Sequence, residues 1–153
     1  MTAPGSSGSR AVGVPEARRI GFVSTRFAGT DGVSLETAKW ATILERLGHT
    51  CFYFAGECDR TPERSRVVPV AFYRHPEIEA INDLAFLAST RADLPGTIAT
   101  GGAAPGRWPN ARPAGLTDRI HALRADLKRE LRAFVAQFDL DLLIIENAST
   151  IPL

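Results

Sequence analysis

The sequence predicts an α/β fold, an open parallel sheet with helices on both faces, and three observations carry that prediction. A short apolar run at residues 19–25, with Ile20, Phe22 and Val23, is followed by a polar, glycine-containing turn and then by a helical repeat. An aromatic-rich run at residues 49–54 resumes directly after that repeat. A long amphipathic segment at residues 117–138 leads into the unbroken apolar run Leu142, Leu143, Ile144 and Ile145. Apolar runs without alternation suit strands covered on both faces, and such strands belong to parallel sheets.

The first strand is expected at residues 19–25, and residues 26–33 form the turn. A helix follows at residues 34–47, with Ala38, Ala41, Leu44 and Leu47 facing inward and Trp40 and Ile43 flanking them. Gly48 stands just past its last turn, where a left-handed cap favours glycine, and residues 49–54 make the second strand. The compact loops of this strand–helix–strand unit imply a parallel, right-handed crossover. Residues 67–73 read as a third strand, and Pro76 opens a helix running to about Leu87. Residues 91–113 hold eight Gly and Pro residues, too many for a regular element, and read as a flexible loop that is either disordered or a lid. Thr117 is the expected cap of the strongest helix, whose inward stripe is Ile120, Leu123, Leu127, Leu131, Phe134 and Phe138. Its other side, with Arg119, Arg124, Lys128, Arg129 and Arg132 against Asp118, Asp126 and Glu130, reads as a solvated face. Residues 141–146 complete the set as a central parallel strand.

A chain of 153 residues accommodates one domain, here residues 19–153 behind a disordered leader at 1–18. With 44% hydrophobic and 23% charged residues and a net charge of +1, nothing points to nucleic acid or a polyelectrolyte. Neither an apolar leader nor a membrane-length apolar run is present, and a cytoplasmic location is expected. Cys51 and Cys58 lack metal-ligand spacing and read as reduced thiols, and no metal site is expected. A sheet ending on a buried strand lacks its next covering helix, so the domain is expected to be incomplete and its bare edge prone to self-association.

The chemistry concentrates where strands end. Gly29, Thr30, Asp31, Gly32 and Val33 join the first strand to the first helix, where free amides and the helix dipole suit a phosphate and the glycines admit a close ligand. The same turn also reads as purely structural, with Asp31 or Ser34 capping the helix. It is neither a G-x-G-x-x-G fingerprint nor a Walker loop. Glu57 stands where a ribose-binding acid would follow the second strand, or is simply loop. Glu146 and Asn147 follow the last strand and should emerge at the same sheet edge, suited to sugar hydroxyls; Asn147 and Ser149 also read as caps of a following helix. His49, His75 and His121 stand apart, and none is assigned as a base or ligand.

The stretch Arg19-Ile20-Gly21-Phe22-Val23-Ser24-Thr25, the turn from Gly29 to Glu36, the helix ending Leu47-Gly48-His49, and Phe52 to Glu57 resemble the amino-terminal, Rossmann-like domain of GT-B glycosyltransferases of the family 4 type. Asp141 to Ala148 resembles the strand and loop that this family places at its interdomain cleft. The resemblance implies a retaining transfer of sugar from a nucleotide-sugar donor to an acceptor, with no cofactor and commonly no metal. It places Gly29, Thr30, Asp31, Gly32 and Val33 beside the donor diphosphate and acceptor, and Glu146 and Asn147 on the acceptor side. The nucleotide-holding C-terminal domain of that family is not in this sequence, and the chain alone is expected to be inactive. Two other readings remain: a non-catalytic Rossmann-like binding module, and half of a nicotinamide-dependent oxidoreductase, which the missing third glycine disfavours.

Overall fold

A computed structural model describes residues 16–90 and 115–147, the side chains of 85–90 excepted. The expectations for residues 1–15 of the leader, for the stretch 91–113 and for Ser149 lie outside the described residues. In chain order the elements are β1 (Arg19–Val23), β2 (Arg26–Phe27), α1 (Gly32–Arg46), β3 (Thr50–Ala55), β4 (Glu57–Cys58), β5 (Ser65–Val67), α2 (Pro76–Thr90), α3 (Leu116–Phe138) and β6 (Leu142–Ile145).

The main sheet has four strands in the order β5-β3-β1-β6, and all three pairings are parallel. Successive residues of β1 and β3 point to opposite faces. Ile20, Phe22, Cys51, Tyr53 and Ala55 enter one core with Phe27 and Ala41. Val23, Phe52 and Phe54 enter the other, with Leu116, Leu123, Leu127, Phe134 and Phe138 of α3 and Ile81 of α2. The chain is therefore an α/β protein with a parallel sheet covered on both faces, as its apolar runs predict. Among the described residues, no helix is long and apolar enough to cross a membrane.

The second core is aromatic, with Phe52 stacked on Phe138 at 4.6 Å between centroids and Phe54 5.6 Å from Phe134. Each such pair contributes on the order of 1 kcal/mol beyond its buried area. The predicted α3 stripe is correct: Leu123, Leu127, Phe134 and Phe138 are buried, with Ile120 and Leu131 packed beside them. The opposite side is mostly exposed, although two of its charges cross to other elements. Arg119 donates to Glu77 of α2 at 2.8 Å, and Arg66 of β5 donates to Glu130 at 2.6 Å.

Four expectations need correction. The helix cap is Gly115, in the left-handed region at φ 81°, and Thr117 lies inside α3, because Leu116 is drawn into the core and starts the helix earlier. The third strand is residues 65–67, not 67–73: Pro69 has no N–H to extend the ladder, and residues 69–71 turn as a 3-10 helix. On α1 the buried residues are Ser34, Thr37 and Ala41, while Leu47 is 54% exposed. Small side chains let the helix lie close to the sheet and turn Trp40, Ile43 and Leu47 outward as one stripe. Finally, β6 is an edge strand rather than a central one, with Leu142 and Ile145 exposed, because among the described residues no strand pairs its outer side. The cap at Gly48, the β3 run and the start of α2 at Pro76 agree with expectation.

Gly56 ends β3, and a Cβ there would fall 2.0 Å from the backbone nitrogen of Phe72. Backbone cannot yield as a flexible side chain can, so Gly56→Ala should destabilise the fold by about 3 kcal/mol, the upper end for overpacking; urea unfolding checks it. The edge of β6, unpaired among the described residues, should give concentration-dependent self-association on sizing chromatography, reduced by Leu142→Lys, since an edge lysine opposes strand addition.

Candidate functional site

Parallel pairing brings the carboxyl ends of all four main strands to one rim, which is where open α/β sheets bind ligands. Val23 and Ile145 are register partners, and the Glu146 amide donates to the Val23 carbonyl at 2.8 Å. The segments beginning at Ser24 and Glu146 thus leave the sheet side by side. The predicted donor-side turn and the predicted acceptor-side residues share this edge. Glu146 is half-buried, and Asn147 is exposed with φ 51°.

A third segment joins them. The Ser24 amide donates to the Phe54 carbonyl and the Gly56 amide to the Thr25 carbonyl, both at 3.0 Å. β2 then pairs with β4, Arg26 opposite Glu57 and Phe27 opposite Cys58. This small sheet, absent from the sequence reading, lays residues 57–60 along the turn. Its anchor is Phe27, fully buried against Tyr53 at 5.7 Å between ring centroids.

In the turn itself, Gly29 has φ 71°, a conformation costly for any residue with a Cβ. Its amide donates to the Asp59 carboxylate at 2.8 Å. Asp31 is the cap of α1: one carboxylate oxygen accepts from the Ser34 amide at 3.0 Å and the other from the Ser34 hydroxyl at 2.8 Å. Its carbonyl accepts from the Leu35 amide at 3.0 Å. Thr30 is exposed, Val33 packs on the edge of the core, and a Cβ on Gly32 would meet nothing within 4 Å. The capping alternative is thus realised by Asp31.

The electrostatics of the turn are mixed. Arg26 lies between Glu57 at 2.8 Å and Asp31 at 3.5 Å. Arg60 donates to the Ser34 carbonyl at 3.0 Å, lies 3.7 Å from Asp59, and has its guanidinium 5.9 Å from the centre of the Tyr53 ring. The Ser34 amide holds the Asp31 carboxyl below its ordinary value; the Ser34 hydroxyl and Arg26 act in the same sense, against the effect of burial. Asp31 is consequently ionised at neutral pH. Two amides that could face an anion, at Gly29 and Ser34, are already bonded to carboxylates.

The sequence reading missed Arg26, Asp59 and Arg60, although topology offered a signal: loops after adjacent parallel strands share a rim, so charges following β3 fall beside the turn following β1. Glu57 pairs with Arg26. His49 accepts from the Arg18 amide and His75 from the Glu77 amide. Cys51 and Cys58 are free thiols, and burial pushes Cys51 up to about 11.

Asp31→Ala should cost about 1 kcal/mol at pH 7, the usual value of a helix cap. Because the folded-state pKa of Asp31 is depressed, its contribution is present above the unfolded value and lost as pH falls through the folded one. The difference in stability between wild type and variant should therefore shrink below about pH 4, as followed by denaturant midpoints from pH 7 to pH 2.5. Comparison with protein-family models, with curated proteins and with solved structures finds no match.

Proposed function

We propose that this chain supplies the acceptor-side, amino-terminal domain of a cytoplasmic, retaining glycosyltransferase of the GT-B, family 4 type, which moves a sugar from a nucleotide-sugar donor to an acceptor. The observation that carries the reading is the pairing of Val23 with Ile145, so that the segment leading to Gly29, Thr30, Asp31, Gly32 and Val33 leaves the sheet beside Glu146 and Asn147. Carboxylates, guanidinium groups and backbone amides at a strand-end rim match the alternating donors and acceptors of a polyol.

Between the two roles that the resemblance gives the turn, its charges favour the acceptor. Asp31, Glu57 and Asp59 outnumber Arg26 and Arg60 at the turn, and each guanidinium is already paired with a carboxylate, so the local balance is negative and opposes a diphosphate. An acceptor hydroxyl meets no such repulsion. The nucleotide sugar is then a co-substrate held chiefly by other residues of the enzyme.

A second reading has its own support. With Gly29 and Ser34 amides satisfied internally, the turn also suits a non-catalytic binding module in which it only shapes the rim.

Amide chemical-shift titration separates the two. With methyl α-D-glucopyranoside and methyl α-D-mannopyranoside as probes, the acceptor reading expects millimolar binding with shifts in residues 24–33 and 146–147. Gly32→Leu should weaken that binding at least tenfold, about 1.4 kcal/mol, and leave the thermal midpoint in place, since its side chain projects into open space. Micromolar binding of UDP-glucose by this chain would count against the acceptor role, and a rim silent to both glycosides would leave the module reading standing.

A further inference from the structure

Residues 29–32 have no buried side chain among them; Ala28 before them is buried, Val33 after them is half-buried against the core, and Ser34 beyond it is buried. What fixes the turn's shape is therefore polar. Within the turn, Asp31 holds Ser34 and is held by Arg26. The Ser34 hydroxyl also reaches back to the Ala28 carbonyl at 3.4 Å, and the other side-chain ties to the turn come from residues 57–60. Glu57 accepts from Arg26 at 2.8 Å, Asp59 accepts from the Gly29 amide at 2.8 Å, and Arg60 donates to the Ser34 carbonyl at 3.0 Å.

The backbone beneath these ties is firm. β4 is paired with β2, and the Asp59 amide donates to the Phe27 carbonyl at 2.9 Å. The side chains above it are partly exposed, 47% for Asp59 and 27% for Arg60, with the Arg60 Nε itself buried. Each grip is a single hydrogen bond between a charged side chain and a backbone group, whose net contribution is modest where water can replace it. Asp59 and Arg60 can thus release the turn by rotating their own side chains, without unpairing a strand.

We propose that Asp59 and Arg60 form an ionic latch on the glycine turn: closed, they grip it at Gly29 and at Ser34, on either side of its exposed residues; open, they free the Gly29 amide toward the rim. The latch, more than the glycines, sets how mobile the turn is. This holds whatever the turn binds, so its failure and that of the glycosyltransferase reading are separate outcomes.

Hydrogen exchange read by mass spectrometry tests it on the whole chain. The variants are Asp59→Ala and Arg60→Met, the second keeping an unbranched stem over Tyr53, with Glu36→Gln, which breaks only an exposed pair with Lys39, as control. Exchange in peptides covering residues 28–34 should quicken at least fivefold in both latch variants and stay unchanged in the control. Protection of β1 and β3 should stay at the wild-type level. Unchanged exchange in the turn would overturn the proposal. So would a rise spread evenly over β1 and β3, because that reports global loosening rather than an opened latch.

Discussion

The structure depends on β1 being bonded along both edges and buried on both faces. Its backbone pairs with β3 on one side and β6 on the other, so its peptide groups are satisfied without water. Its side chains divide between the cores, Ile20 and Phe22 to one and Val23 to the other. A strand in this position cannot slip by one residue without exchanging the contents of both cores. The register of the sheet, and with it the rim on which the turn and Glu146 stand, follows from that one segment.

The two faces are built differently. Toward α3 the contact is thick and aromatic, with Phe52, Phe54, Phe134 and Phe138 filling the space. Toward α1 it is thin, because Ser34, Thr37 and Ala41 bring the helix close to Tyr53 and its neighbours. A close-lying helix buries a narrow stripe, and Trp40, Ile43 and Leu47 are left outside it. Glu45, on the opposite side of α1 from that stripe, meets Arg64 beside β5.

At the rim, helix-end electrostatics compete with side-chain chemistry. The start of α1 favours negative charge, and Asp31 and Asp59 provide it from within the chain. That ties the turn internally and leaves it ambivalent in function: the same bonds that shape the rim also occupy two of its donors. The glycosyltransferase reading and the module reading differ on whether Thr30, Gly32, Glu146 and Asn147 receive a ligand across that shaped surface.

The sequence by itself determined the parallel α/β class, the long stripe of α3 and the strand–turn–helix–strand opening. Those features are written in local periodicity and in runs long enough to be read without neighbours. Only tertiary structure decided the rest. Whether an apolar run such as Leu142 to Ile145 is central or marginal depends on what lies beside it. Which face of α1 turns inward depends on how near the sheet lies, and periodicity favours the larger residues over Ser34 and Thr37. The two-residue strands β2 and β4 carry no periodic signal, being shorter than one alternation, and exist because β1 and β3 deliver Arg26 and Glu57 in register. Asp59 and Arg60 act on Gly29 and Ser34 from about thirty residues away, a separation that chain folding closes and local sequence does not record.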